Sequence, residues 1–228
     1  MLRGRLGLLC CSQLVATSAL RLPSAAAPFV RCAAPHRGVL ARMMCDDAPP
    51  PPTFGMLDVR VGKIVEAWEH PDSDKLWVEK IDVGEVEVEG EGEEAKETPA
   101  PRQIASGLRA HYATAADLEG RAVIVVCNLK EAKLGGVPSN GMVLCASGED
   151  GTVAFVEPPA GAAPGERITV EGIMEDPASP NKVKKKKLME KSAEELRAVD
   201  NVATYRGLPL STSAGPCTIP TVASGTIN

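Results

Sequence analysis

An all-β protein built round a small closed barrel is the fold class that this chain of 228 residues predicts, and three observations carry the prediction. Short runs of β-branched and apolar residues recur between residues 57 and 170, separated by clusters of Gly, Pro, Asn and Asp. Five or six such strands with one short helix, His111 to Leu118, indicate a closed barrel. The most apolar run, Val123-Ile-Val-Val-Cys127, contains no charged or amide side chain and reads as the buried centre of the sheet.

The first 45 residues stand apart. They hold six Arg, no Lys and no Asp or Glu, and are rich in Ala and Ser, which is the composition of an organelle transit peptide. Leu6 to Ala16 also has the apolar character of a secretory signal core. A signal core followed by a second basic stretch resembles the two-part leaders of algae with secondary plastids. A disordered targeting leader is expected over 1–45, for a plastid before a mitochondrion, with a cytoplasmic protein as the alternative. The remainder carries 19 basic against 30 acidic residues, or −11, where the whole chain carries −5. Residues 46–55 form a Pro-rich, extended linker.

The barrel domain is expected over 56–172. In its first strand Leu57, Val59 and Val61 alternate with Asp58 and Arg60, so one face is buried. Gly62 interrupts the alternation as a bulge in a curved strand does. His70-Pro-Asp-Ser-Asp74 is a turn, and Leu76 to Val83 is the second strand. Residues 85–100 hold seven Glu between Glu85 and Glu97 and are expected to be a solvated acidic loop. Further strands are expected around Gln103 to Ser106 and at 122–127, 142–146, 153–156 and 167–170. Residues 173–228 form a second, small module, in which Lys184 to Lys187 precede a helical stretch from Leu188 to Val199.

Composition excludes several chemistries. Beyond the leader the cysteines are Cys127, Cys145 and Cys217, an odd number with no Cys-x-x-Cys pair, which argues against a disulfide framework or a zinc site. His36, His70 and His111 are widely separated, and no glycine-rich phosphate cradle is present. No catalytic residue, metal or cofactor is assigned. No segment reaches the ~18 apolar residues of a membrane-spanning helix.

The candidate site is the loop that follows the apolar strand. It sets Asn128, Lys130, Lys133, Ser139 and Met142 among the pivots Gly135, Gly136, Pro138 and Gly141. Amides, ammoniums and a hydroxyl suit gripping an anion and stacking a base rather than breaking a bond. The run Lys184, Lys185, Lys186 and Lys187 concentrates positive charge in an acidic body. Contact with an RNA backbone is the preferred reading of that run, and a solvated helix end is the other. Arg102 and Arg109 are placed to extend a basic surface or to be plain surface charges, and His70 is expected to serve its turn.

Five ordered segments resemble the tRNA-binding domain family: Leu57-Asp-Val-Arg-Val-Gly-Lys-Ile64, His70-Pro-Asp-Ser-Asp-Lys-Leu-Trp-Val-Glu79, Arg102-Gln-Ile-Ala-Ser-Gly-Leu108, Asn128-Leu-Lys-x-x-Lys133 and Gly136-Val-Pro-Ser-Asn-Gly-Met142. Three later segments, Asn181-x-x-Lys-Lys-Lys186, Val202-Ala-Thr-Tyr-Arg-Gly-Leu-Pro209 and Ser224-Gly-Thr-Ile227, resemble the C-terminal module of the endothelial monocyte-activating polypeptide II-like proteins. These are relatives of the C-terminal appendage of methionyl-tRNA synthetases. The resemblance implies an OB-fold barrel with a small α+β module packed on it in place of a second subunit, and so a monomer.

The resemblance also implies that Asn128, Lys130, Lys133, Ser139 and Met142 face RNA. Lys130 and Lys133 would neutralise phosphates, Ser139 would donate to a phosphate or 2′-hydroxyl, and Met142 would offer a base a soft surface. The implied protein is non-catalytic, binds tRNA by shape and backbone, has no membrane partner, and delivers the tRNA to an aminoacyl-tRNA synthetase. Two alternatives stand beside it. An enzyme would need an ATP site and more room than the chain has. A protein-interaction or secreted signalling OB-fold module would bind no tRNA. The glutamate insert departs from the family's short connection and, beside an RNA surface, would repel phosphate.

Overall fold

One long strand organises the barrel in the computed structural model, which describes residues 54–89 and 96–228; the expected leader and linker residues 46–53 lie outside the described residues. Along the chain run β1 (Val59–Glu69), β2 (Trp77–Asp82), β3 (Val86–Glu89), β4 (Lys96–Pro99), β5 (Arg102–Ser106), β6 (Ala122–Val126), β7 (Ala132–Leu134), β8 (Val137–Ser139), β9 (Met142–Val143), β10 (Cys145–Gly148), β11 (Val153–Phe155) and β12 (Thr169–Val170). Helices α1 (Pro180–Lys186) and α2 (Leu188–Ala193) follow, then β13 (Leu196–Val199), β14 (Val202–Tyr205), β15 (Leu208–Thr212), β16 (Gly215–Pro216) and β17 (Ser224–Ile227). The barrel sheet has the order β5-β2-β1-β6-β9, every pair antiparallel.

Strand β1 pairs with β6 through Val59 to Lys63 and with β2 from Lys63 to Glu69, and its register slips between Ile64 and Glu66. The irregularity therefore sits at Val65, which is exposed, and not at Gly62 as the alternation suggested. Gly62 answers a different need. A Cβ there would lie 2.7 Å from Ile81 and 3.0 Å from Val125, so the barrel interior has room only for hydrogen at this point.

Strand β6 is apolar on both faces because both are covered. Val123 and Val125 point into the barrel with Ile64, Trp77, Ile81, Ile104 and Phe155, while Ile124 and Val126 join a second core with Phe54, Leu57, Val59 and Val61. That second core continues through Leu188, Leu196, Tyr205, Leu210, Ile219 and Ile227 of the C-terminal module. The backbone is continuous as well. A second sheet runs β11-β10-β17-β13-β14-β15-β12, so barrel strand β10 bonds directly to β17, with Ala146 opposite Ile227. The fold is an all-β OB-fold barrel with a small α+β module packed on it, and the described residues form one unit.

Several local expectations are corrected. The stretch His111 to Leu118 makes only a 3-10 turn, Ala115–Asp117, where Asp117 Oδ2 accepts from the Thr114 backbone N–H at 2.9 Å. The acidic insert is not a simple loop. Its flanks pair as the ribbon β3–β4, with Val86 opposite Pro99, around the undescribed residues 90–95. Strand 142–146 divides at Leu144 into β9, paired with β6, and β10, paired with β11 and β17. The helix after the lysines stops at Ala193. Leu196 and Ala198 are buried while Arg197 and Val199 are exposed, a period of two that makes a strand. The lysine run precedes helix α2 as expected, and it also closes a helix that was not expected, as the last turn of α1, where cations favour the helix dipole. Phe54, assigned to the linker, is a core residue.

Candidate nucleic-acid interface

The loop between β6 and β9 folds back as the hairpin β7–β8, with Gly135 and Gly136 at its tip in left-handed conformations (φ 57° and 91°). His70 holds that tip. Its Nδ1 accepts from the Asp72 N–H at 3.0 Å, which leaves Nε2 to donate to the Leu134 carbonyl at 2.9 Å. A Cβ on Gly135 would fall 2.6 Å from the His70 ring, so this glycine is required by contact as well as by φ. His70 thus serves its turn, as expected, and also pins a hairpin 64 residues away.

The five loop residues expected to face RNA separate into two groups. Asn128 is 7% exposed and its amide is fully engaged inside the protein. Its Oδ1 accepts from the Asp58 N–H, and its Nδ2 donates to the carbonyls of Met56 and Ala178. It laces the start of β1 to the chain entering the module. Ser139 is 4% exposed; its Oγ accepts from the Ala105 N–H at 3.1 Å and donates to the Gly141 carbonyl at 3.2 Å. The outward orientation expected for Asn128 and Ser139 is therefore corrected: both are internal ties, because each pairs backbone groups of segments distant in the chain. Lys130 and Lys133 are exposed, and Met142 is half-buried.

Tertiary structure brings Lys130 and Lys184 to one place. A groove of about 400 Å³ runs between the loop and the module, walled by Leu129, Met142, Val183 and Met189, with Lys130 and Lys184 on it. Glu131 and Glu190 also line it. Lys185, Lys186 and Lys187 are exposed beyond the groove, with Lys187 in the left-handed conformation that joins α1 to α2, and Lys133 lies outside it on β7. The apolar contributors Leu129, Val183 and Met189 escaped sequence reading, since nothing in the chain marks residues 60 apart as neighbours.

The two arginines proposed to extend this surface are engaged elsewhere. Arg102 bonds both Glu85 carboxylate oxygens and the carbonyls of Cys127 and Asn140. The Arg102 guanidinium holds the Glu85 carboxyl below its ordinary range. Arg109 pairs with Glu69 at 2.6 Å and lies over the Trp77 ring. Burial pushes the thiol of Cys127 up to about 11 and those of Cys145 and Cys217 to about 12, as befits core residues. Glu79 was missed as a distinctive residue. It is 0% exposed in the barrel interior, and burial pushes its carboxyl up to about 7 although the Ser106 hydroxyl donates to it.

Comparison with known proteins agrees with this architecture. Residues 59–167 match the model of a putative tRNA binding domain. The chain is 42% identical over 176 residues to a probable methionine–tRNA ligase of Oryza sativa, covering 77% of this chain and 20% of that protein. It is 40% identical over 175 residues to the cytoplasmic tyrosine–tRNA ligase of Xenopus laevis, covering 75% of this chain and 30% of the other. The aminoacyl tRNA synthase complex-interacting multifunctional protein 1 of mouse is 39% identical over 175 residues, 75% of this chain and 51% of its own. The chain therefore spans between a fifth and about half the length of these relatives. Among solved structures, the C-terminal domain of Plasmodium vivax p43 superposes with a TM-score of 0.62 at 34% identity, over 76% of this chain and 98% of that domain. With its barrel, its module and matches of this extent, the chain belongs to the tRNA-binding domain family, in the endothelial monocyte-activating polypeptide II-like form.

Proposed function

We propose that the protein is a non-catalytic tRNA-binding factor that holds tRNA by shape and backbone and presents it to an aminoacyl-tRNA synthetase. The observation that carries the reading is the groove where Lys130 of the barrel and Lys184 of the module flank the apolar wall of Met142 and Met189. Ammoniums at a groove edge neutralise phosphates, and the soft apolar floor accepts ribose or base. Lys133 and Lys185 to Lys187 extend the positive rim. The relatives whose names carry tRNA ligases or a synthetase complex support a role beside a synthetase. Tethering tRNA raises its effective concentration at the enzyme and needs no chemistry. The module supports action as a monomer, because it already covers β6 and extends β10. The Arg-rich, acid-free leader supports an organellar, and specifically plastid, site of action.

The test is tRNA binding by the full chain across a salt series, beside a Lys130→Ala/Lys184→Ala variant. Folded tRNA should bind better than unstructured RNA, and the variant should weaken binding with a salt slope shallower by ~1.4–1.8. An absence of salt-dependent binding in the unaltered chain would overturn the reading and favour an apolar protein segment as the groove's occupant.

A further inference from the structure

The hairpin β7–β8 is a strap held unequally at its two ends. Its root crosses the seam between β5 and β9, the two ends of the barrel sheet. There Ser139 Oγ accepts from the Ala105 N–H, the Asn140 N–H donates to the Gln103 carbonyl, and Gln103 Nε2 donates to the Pro138 carbonyl. The tip has less. Among the described residues, the bond from His70 Nε2 to the Leu134 carbonyl is the one hydrogen bond that joins residues 132–137 to the body of the barrel. Apolar burial adds little there, because all of β7 is exposed, Leu134 included.

The strap carries Lys133 on its outer face. Ala132 lies opposite the buried Ser139, and Lys133 opposite Pro138, so by the alternation of the strands Ser139 turns toward the barrel and Lys133 away from it. Where that ammonium stands depends on His70. The ring is 3% exposed, and Gly135 lies so close that a Cβ there would fall 2.6 Å from Cε1 and 2.8 Å from Nε2. Both ring nitrogens are taken by backbone groups: Nδ1 accepts from the Asp72 N–H and Nε2 donates to Leu134. One acceptor and one donor fit the neutral ring only. A proton added at Nδ1 sets two N–H groups face to face across 3.0 Å. The ring cannot turn aside without displacing Gly135, so the tip is carried with it. The charged groups on the elements round the ring are Glu69 of β1, Asp72, Asp74 and Lys75 of the turn, Arg109 beyond β5, and Glu131 and Lys133 of the strap. Arg109 pairs with Glu69 at 2.6 Å and Asp74 at 3.8 Å, and no carboxylate is bonded to a ring nitrogen to hold an imidazolium in place.

We propose that His70 is a positioning residue for RNA binding: its neutral ring sets the strap tip, and with it Lys133, and protonation of the ring releases both. Histidine is the side chain whose charge ordinarily changes between about pH 5 and 8. Acid therefore removes one cation from its place on the RNA and makes the salt slope of binding shallower by ~0.7–0.9, the share of one phosphate. That sense is opposite to the plain electrostatic one, in which a protein gains positive charge as pH falls and grips a polyanion through more of its cations. The inference rests on the tRNA-binding reading for its ligand, and not for the motion of the strap.

The experiment measures tRNA binding by the full chain across a salt series at about pH 8 and about pH 5.5, the window in which histidine changes charge. Beside it, the amide shifts and exchange protection of Gly135 and Gly136 are followed on ¹⁵N-labelled protein. The unaltered chain should show the shallower slope at the lower pH, together with lost protection at the two glycines. His70→Gln keeps a donor at the reach of Nε2 and takes up no proton, so it should hold the steep slope at both pH values. His70→Asn keeps an acceptor for the Asp72 N–H and gives up the bond to Leu134, so its slope should be shallow at both. Lys133→Ala should also be shallow at both, while its glycines still respond to acid. His36, His111 and Glu79 are present in every variant, so their titration cancels between them. A slope and glycine signals that hold from pH 8 to 5.5 in the unaltered chain would overturn the inference. So would a His70→Gln variant that keeps the full pH dependence, since another group would then be its source. Acid-sensitive glycines in a chain that never binds tRNA defeat the proposed function and leave His70 as the holder of the strap. Salt-dependent tRNA binding with acid-insensitive glycines defeats this inference alone.

Discussion

The core between barrel and module is sealed and apolar, with the rings of Phe54 and Tyr205 tilted at a 5.5 Å separation in its midst, whereas the barrel interior carries a carboxyl and opens through a seam. Both are built on the same strand, since alternate residues of β6 face each core. The difference teaches how much each core relies on apolar burial. The sealed core joins distant parts of the chain by burial alone, which is non-directional and strong. The barrel interior gives up part of that gain at Glu79, whose Oε2 is buried without a partner.

The sharpest way to break this comparison is to open the sealed core. Tyr205→Ala should cost ~3–5 kcal/mol. Because the core is shared, tryptophan fluorescence from buried Trp77 and far-ultraviolet dichroism should be lost together in urea. A barrel transition that persists unchanged would show the two parts to be independent.

Next in size is Glu79, with the opposite sign. Between about pH 4.5 and about 7 a carboxyl so raised is mostly protonated in the folded state while ionised in the unfolded chain. Its neutral form fits the barrel fully below about pH 4.5, and that contribution is lost as pH rises through about 7. Glu79→Gln should therefore stabilise the protein by up to ~3 kcal/mol at pH 8 and change little at pH 4. Denaturation at the two pH values decides it; an equal difference at both would mean that ionisation is not the cost.

Asn128→Ala sharpens the division within the loop. It strands three backbone groups, those of Asp58, Met56 and Ala178, and should destabilise by ~2–3 kcal/mol. The salt slope of tRNA binding by the folded fraction should stay as it was. A shallower slope with unchanged stability would return Asn128 to the RNA face. The smallest effect is expected at His70→Ala, ~1–2 kcal/mol, through release of the Leu134 carbonyl. Hydrogen exchange should rise at the β7–β8 tip before it rises in β1 or β2.

How much of this was legible in the chain depends on the range of the interaction. The pattern of β1, the unbroken apolar run of β6 and the turn at His70 are local, and each was read from its own residues. The hairpin Ala132–Ser139 was read as an irregular loop because three-residue strands leave no period to detect. Lys130 and Lys133 were recognisable as exposed cations. Asn128 and Ser139 were not recognisable as internal ties, since an amide or a hydroxyl next to glycines looks the same whether it faces water or a backbone across a seam.

By itself, then, the sequence determined the barrel class, the strands of the barrel, the inert core thiols and the family, because periodicity and side-chain chemistry act over a few residues. Only the tertiary structure decided which polar groups point inward and that Gly62 yields to Ile81 and Val125. It alone decided that Lys184 comes to lie beside Lys130, and that Glu79 stands behind Ser106. Those are contacts between segments tens of residues apart, made by closure of the barrel and docking of the module, and no local propensity encodes them.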